Sequence, residues 1–208
     1  MEAQMKDRIA GAEIEPMVDP QLLQDVLGEA LATGGEFAEV FVEDRRSTSA
    51  LLDDGRIEEM ASGRDRGAGI RVVVGETTGF AHTADLSPTS LRAASAAASA
   101  AARGGGGKVR EVILDRPSGP PSAVVEVLPS DVAKDRKVAL LAEANEAARA
   151  RDGAITQVTA RYADSQRRIQ IANSDGLLTG DRQVRTLFSV SCVASGDSGL
   201  QTGRESVG

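Results

Sequence analysis

Arg66-Gly67-Ala68-Gly69-Ile70-Arg71-Val72-Val73-Val74-Gly75-Glu76-Thr77-Thr78-Gly79-Phe80-Ala81-His82-Thr83 is the stretch on which the reading of this chain turns. Two β-branched, apolar runs flank Gly75-Glu76, which predicts two strands joined by a tight turn. Glycines at 67, 69 and 79 mark places where the backbone bends or is approached closely. The stretch also holds the only histidine, His82, so it is the first place to look for chemistry.

Upstream, residues 37–42 alternate, with Ala38, Val40 and Val42 on one face and Phe37 and Phe41 on the other. Residues 47–52 predict a second strand, and Asp53-Asp54-Gly55 a turn before a third at 56–61. With 69–74 and 77–83 these form an antiparallel meander. A helix precedes it: Asp19 caps, Pro20 takes the first position, and Leu22, Leu23, Val26, Leu27, Ala30 and Leu31 make one stripe. Gly34-Gly35 ends that helix. A second helix over 89–103 follows, with Ser87 as cap, Pro88 at the first position and Leu86 and Leu91 as a hydrophobic staple. It is mostly alanine, so it packs closely and buries little area per residue.

Gly104 to Gly107 is the best internal boundary. Beyond it the pattern predicts a strand at 109–114, a rigid loop at 117–121, and a helix capped by Ser130 that reaches about residue 151. Strands at 155–163 and 167–172, a turn at 173–176 and a strand at 184–194 complete it. In that last strand Val184, Thr186, Phe188, Val190, Cys192 and Ala194 share a face. Residues 195–208 show no apolar pattern, and the chain is expected to be cut before its natural end. The fold class is therefore α+β. A disordered arm (1–18) leads into a helix–β-meander–helix domain (19–103). A glycine-rich hinge (104–108) then precedes a central sheet-based α+β domain (109–208), truncated at its carboxy-terminal end.

Composition narrows function. A net charge of -7 with scattered arginines lacks the basic stripe of a nucleic-acid surface. One cysteine makes no internal disulfide, and no apolar run approaches the ~20 residues of a membrane-spanning helix. A cytoplasmic protein without signal peptide, nucleic acid or membrane is the expectation. Four Phe, one Tyr and no Trp leave the core to aliphatic side chains.

The residues that could carry chemistry do not combine. Gly67-x-Gly69 lacks the third glycine and the following helix of a dinucleotide loop, and reads as a glycine-bent strand. Gly104 to Lys108 lacks the Ser or Thr of a phosphate loop. His82, with Asp85 three residues on, would suit a general base or a metal ligand. One His and one distant Cys make no usual zinc set, and there is no Gly-x-Ser-x-Gly elbow. Cys192 reads as a small hydrophobe on a core face, and Asp53-Asp54 and Glu58-Glu59 as a solvated edge. No catalytic, cofactor-binding or metal-binding residue is assigned.

Phe37-Ala38-Glu39-Val40, Asp54-Gly55-Arg56-Ile57-Glu58, Gly67-Ala68-Gly69-Ile70-Arg71-Val72, Thr78-Gly79-Phe80-Ala81 and Ile171-Ala172-Asn173-Ser174-Asp175-Gly176 together carry a resemblance. The combination, over residues 20–208, resembles the front part of the TldD/PmbA (modulator of DNA gyrase) family, on the TldD side. That resemblance implies a cytoplasmic zinc metallopeptidase working on peptides as a heterodimer with a TldE/PmbA paralogue. It implies a His-Glu-x-x-x-His zinc motif with a further cysteine ligand. The motif is absent from this sequence, so zinc belongs to the longer family protein, Cys192 is not its cysteine, and the 208-residue chain alone is expected to be inactive.

The resemblance thus implies an amino-terminal, non-catalytic portion that walls the peptide chamber and contacts a TldE/PmbA-like partner or a second copy. An edge strand with unpaired backbone groups suits peptide capture, and Val184, Thr186, Phe188 and Val190 are the candidates. Two other classes stay open: a stand-alone protein-binding module, and a hydrolase using His82 with a serine.

Overall fold

Six strands in the order β3-β2-β1-β4-β5-β6 form one sheet in the computed structural model, which describes residues 15–102, 110–115 and 125–208. The strands are β1 (Phe37–Asp53), β2 (Arg56–Val74), β3 (Thr77–Thr83), β4 (Ile155–Asn173), β5 (Leu178–Gly196) and β6 (Gly199–Val207). Among the described residues three α-helices accompany them: α1 (Pro20–Ala30), α2 (Pro88–Ala101) and α3 (Lys134–Arg151). The expected α+β class is the one observed.

The meander is built from fewer, longer strands than the sequence pattern suggests. The strands expected at 37–42 and 47–52 are one, β1, and those at 56–61 and 69–74 are one, β2. Charged runs such as Glu43-Asp44-Arg45-Arg46 look like breaks, yet charge does not interrupt a strand whose side chains alternate between faces. Glu43 there accepts a 2.6 Å hydrogen bond from Arg167 on β4. Residues 110–114 form no strand, and only Asp115 makes an isolated parallel bridge, to Leu177. The helix expected from Ser130 begins at Lys134 with no side-chain cap, after a short 3-10 turn over Pro129–Asp131. Residues 195–208, expected to be an open exit, turn at Gly199 (φ 89°) into β6, which pairs with β5 from Phe188↔Val207 to Gly196↔Gly199.

The contacts divide the chain into two compact units. The first contains residues 65–124, 167–182 and the amino-terminal residues to Arg45. Here Ala38, Val40, Val42, Ala68, Ile70 and Val72 turn one face of the sheet toward Leu23, Val26, Leu27 and Ala30 of α1 and Leu91, Ala94 and Ala98 of α2. Asp19 caps α1, its side chain accepting from the N–H groups of Gln21 and Leu22, and Ser87 caps α2 by accepting from that of Ser90. The Ser95 and Ser99 hydroxyls donate to the carbonyls of Val26 and Ala30, each at 2.9 Å, so α2 lies against α1 with its buried polar groups satisfied. Gln170, itself buried, accepts from the N–H groups of Met17 and Val18 and donates to the Val18 carbonyl, tying down the entry to α1.

The second unit contains residues 46–64, 125–166 and 183–208. Its core is small: Ala50, Leu52, Leu141 and Ala160, with Met60, Tyr162, Phe188 and Val190 packed around them. Only Lys137 and Leu141 of α3 are buried. Lys137 reaches Asp164 on β4 at 2.6 Å, with side chains 4% and 6% exposed, and its ammonium stands 5.4 Å from the Tyr162 ring centre. An ion pair therefore shares the docking of this helix with one leucine.

Two outcomes follow from these cores. A Cβ at residue 79 would stand 1.9 Å from the Ala98 carbonyl oxygen and 2.4 Å from the Ala102 nitrogen, both backbone atoms. Gly79→Ala is therefore expected to lose about 3 kcal/mol, the upper end for overpacking, in urea unfolding. Asp164→Ala leaves the Lys137 charge buried alone and is expected to cost roughly 3–5 kcal/mol. The double change Lys137→Met with Asp164→Leu, which removes both charges, is expected to recover most of that loss in the same measurement.

Candidate functional site

The first unit presents an open face of sheet on the side away from its helices. Alternation places Phe37 and Phe41 of β1 there. The β2–β3 register, Gly69↔His82 and Arg71↔Phe80, adds Phe80 and His82. The Arg71 guanidinium lies 5.6 Å from the Phe37 ring centre and pairs with Glu39 at 3.4 Å. Arg167 lies 5.9 Å from the Phe41 ring centre and pairs with Glu43 at 2.6 Å. The hydrogen bond to Glu43 raises the Arg167 pKa further above its ordinary value. Charge on this face is thus neutralised locally, while three of the chain's four phenylalanines remain on it.

A shallow groove of about 340 Å³ opens there, lined by Phe41, Glu43, Asp65, Gly69, Phe80 and His82 among others. Its floor is Gly67 and Gly69, the pair whose spacing resembles part of a dinucleotide loop. Gly69 lies beneath the Phe80 ring, whose nearest atoms would stand 3.1 Å from a Cβ, and a Cβ at Gly67 would meet the Thr83 carbonyl at 2.7 Å. Both residues sit inside β2, with no helix following, so the glycine-bent strand is the correct reading. Phe80 is 61% exposed, and its ring centre is 6.3 Å from that of His82.

Among the described residues, the groove brings no serine or cysteine to His82. Asp85 is also engaged elsewhere: it accepts from the Ser87 N–H at 3.0 Å and from the Ser87 and Ser90 hydroxyls at 2.7 Å each. These bonds, that from the Ser87 hydroxyl first, hold the Asp85 carboxyl below its ordinary range. Asp85 is a brace for the start of α2, and the pairing with His82 suggested by their spacing is not made.

The second unit has a recess of about 430 Å³ lined by Gln157, Thr159, Ser191, Cys192, Val193, Thr202, Gly203 and Arg204. Cys192 is half-buried, opposite Gly203 in the β5–β6 register. Asp53 accepts from the Thr159 hydroxyl at 2.6 Å and from Gln157 at 3.1 Å, and these bonds, led by Thr159, lower its pKa. Asp54 pairs with Arg149 at the β1–β2 turn. Glu58 and Glu59 are exposed on β2, and Gly104 to Lys108 lie outside the described residues. No group of three His, Cys, Asp or Glu side chains that could hold a metal ion occurs among the described residues.

Val184, Thr186, Phe188 and Val190, expected on an edge strand, lie on β5, which has β4 on one side and β6 on the other. From Phe188 onward β5 is paired to β6, which takes Phe188 and Val190 off the edge, while that pairing does not reach Val184 or Thr186. The cause is the 197–198 turn: glycine, serine and aspartate mask a strand that has little apolar alternation. Sequence reasoning also missed the Lys137–Asp164–Tyr162 cluster. Its one trace in sequence is Lys137 standing four residues before Leu141, on the same side of the helix. Burial first, then the bond to Asp164, pushes the Tyr162 hydroxyl well above the usual phenol range.

This architecture, helices on an antiparallel sheet of long strands, defines an α+β protein with two small cores and no assembled catalytic group among its described residues. Residues 38–102 match the PmbA/TldA metallopeptidase domain 1, and residues 128–208 match the PmbA/TldA metallopeptidase central domain. The chain belongs to the TldD/PmbA family and corresponds to its amino-terminal part. It is 32% identical over 178 residues to a Methanothermobacter thermautotrophicus protein named Metalloprotease, covering 83% of this chain and 37% of that one. A Haemophilus influenzae Metalloprotease TldD homolog is 27% identical, with 75% and 33% covered. Among solved structures, TldE from Thermococcus kodakarensis has a TM-score of 0.69 at 16% identity, over 89% of this chain and 42% of that chain. A proposed modulator of a DNA gyrase from Thermotoga maritima has a TM-score of 0.67 at 16% identity, over 99% and 42%. The chain thus spans about a third of the length of these curated relatives.

The Asp85 brace has a pH signature. Its folded pKa is depressed, so its stabilisation is present above the unfolded value of about 3.9 and is lost as pH falls through the folded one. The melting temperature of Asp85→Ala is expected to lie below the parent's at pH 7. The gap should close as the pH is taken below about 3.9.

Proposed function

We propose that this chain is the amino-terminal, non-catalytic portion of a TldD-like zinc metallopeptidase that degrades or processes peptides in the cytoplasm. In this reading residues 19–103 and 109–208 form its first and central domains, wall the peptide chamber, and contact a TldE/PmbA-like partner or a second copy. The observation that carries it is the match of adjoining stretches to the family's first and central metallopeptidase domains. The relatives' name of metalloprotease supplies the reaction class.

Zinc does not fit the residues described here. A catalytic zinc takes three protein ligands from His, Cys or carboxylate side chains. The chain's one histidine lies beside Phe80 in an open groove, and the carboxylates Asp53, Asp54 and Asp85 are bonded to Thr159, Arg149 and the two serines. No step is therefore routed through the metal in this chain, and its own contribution is to shape and to hold. The uncovered aromatic face and the backbone edges supply surfaces suited to peptides or protein partners.

The test is metal analysis and a peptidase assay on the 208-residue chain beside a longer one that carries His-Glu-x-x-x-His. The short chain is expected to bind no stoichiometric zinc and to cleave no peptide, whereas the long one does both. Stoichiometric zinc in the short chain would overturn the proposal. His82→Ala is expected to change neither result.

A further inference from the structure

Two arginines of the first unit face each other across the β4–β5 hairpin. The Asn173 N–H donates to the Leu177 carbonyl at 3.0 Å, which fixes where β5 turns back along β4. Counted from that bond along an antiparallel pair, Ala172 lies opposite Leu178, Gln170 opposite Gly180 and Arg168 opposite Arg182. Ala172 and Leu178 are both buried in the core, and a Cβ at Gly180 would stand 3.1 Å from the Ile169 carbonyl oxygen, in keeping with this register. Such alternate pairs are the ones not hydrogen-bonded to each other, with Cα atoms about 4.5 Å apart and side chains close together.

Like charges placed directly opposite destabilise a strand pair. Here each arginine also has its Nε enclosed and without a hydrogen-bond partner, so part of each charge is withdrawn from water. The Arg168 Nη2 donates to the Glu15 carbonyl at 2.7 Å, and among the described residues no acid pairs with either guanidinium. Asp181 accepts from the backbone N–H of Arg182 at 2.8 Å and Asp44 is buried, and both are engaged elsewhere. Beside the pair, Gly180 is exposed and has no side chain, which leaves room over the hairpin.

We propose that Arg168 and Arg182 form a binding site for an oxyanion group, a carboxylate or a phosphate, held between the two guanidinium forks. A guanidinium presents fixed donors that match the paired oxygens of either group. The anion supplies the counter-charge that the sheet leaves out. Both Nε atoms are enclosed while both side chains are only half-buried, so the anion meets the terminal nitrogens. The site goes beyond the family reading and is separate from the aromatic groove, because Arg167, the next residue along β4, turns to the opposite face with Phe41 and Glu43.

The test uses the whole 208-residue chain, its Arg182→Gln variant, and Arg185→Gln, which alters an exposed arginine of the same strand, as control. Inorganic phosphate and sodium acetate are titrated separately at constant ionic strength, and the arginine Nε–Hε resonances are followed by NMR. A saturable shift of the Arg168 and Arg182 resonances is expected, with binding about tenfold weaker in Arg182→Gln, the loss of one charge-assisted contact, and unchanged in Arg185→Gln. Saturation by acetate names a carboxylate as the group held, and saturation by phosphate alone names a phosphoryl group. In chloride buffer with neither anion, Arg182→Gln is expected to melt no lower than the parent, because it removes a repulsion, whereas loss of a merely structural arginine would lower the melting temperature. Shifts that do not saturate with either anion, equal binding by Arg182→Gln, or a lower melting temperature of that variant without anion would overturn the proposal. The readout needs neither zinc nor peptidase activity, so its failure and that of the peptidase reading are separable.

Discussion

The carbonyl of Ala98 occupies the place a side chain at residue 79 would need, and the first unit is arranged around that contact. A strand and a helix that approach so closely must both be made of small residues where they meet. β3 supplies glycine, and α2 supplies alanine and serine. Small residues bury little area, so α2 cannot be held by bulk. It is held by the serine hydroxyls bonded to the carbonyls of Val26 and Ala30 on the buried side of α1, and by Leu91, its one large buried side chain. The larger aliphatic side chains of this core come instead from α1 and from the even-numbered positions of β1 and β2.

The second unit solves the same problem with different chemistry. Its helix has almost no apolar stripe, and the contact with the sheet combines Leu141 with the Lys137–Asp164 pair. A buried ion pair adds little net stability over apolar side chains of similar volume, but it is costly to break on one side only. Such a contact fixes position more than it adds strength, which suits a unit whose aliphatic core is only a few residues deep.

Much of this was legible in the sequence. The Asp19-Pro20 and Ser87-Pro88 starts, the alternation of residues 37–42 and the Gly75-Glu76 turn are local signals, and the structure agrees with each. The misreadings are non-local. Whether β1 ends at Val42 or runs to Asp53 depends on what β4 places opposite Glu43. Whether residues 184–194 form an edge depends on a hairpin partner with hardly any apolar residues of its own. His82 and Asp85 stand three residues apart, but Asp85 serves the helix beside it. The burial of Lys137 depends on Asp164, twenty-seven residues away in the chain, and no local pattern announces it.

The scarcity of aromatic residues has an optical consequence. With no tryptophan in the chain, the emission of its single tyrosine is not drained by energy transfer to an indole. Tyr162 sits within the Lys137–Asp164 contact, so that faint ultraviolet signal comes from the seam between α3 and the sheet. The phenol is held protonated there, and the absorbance change that accompanies phenolate formation is deferred while the seam stays shut. The molecule therefore carries a built-in chromophore at its most polar interior contact, readable without any dye or label.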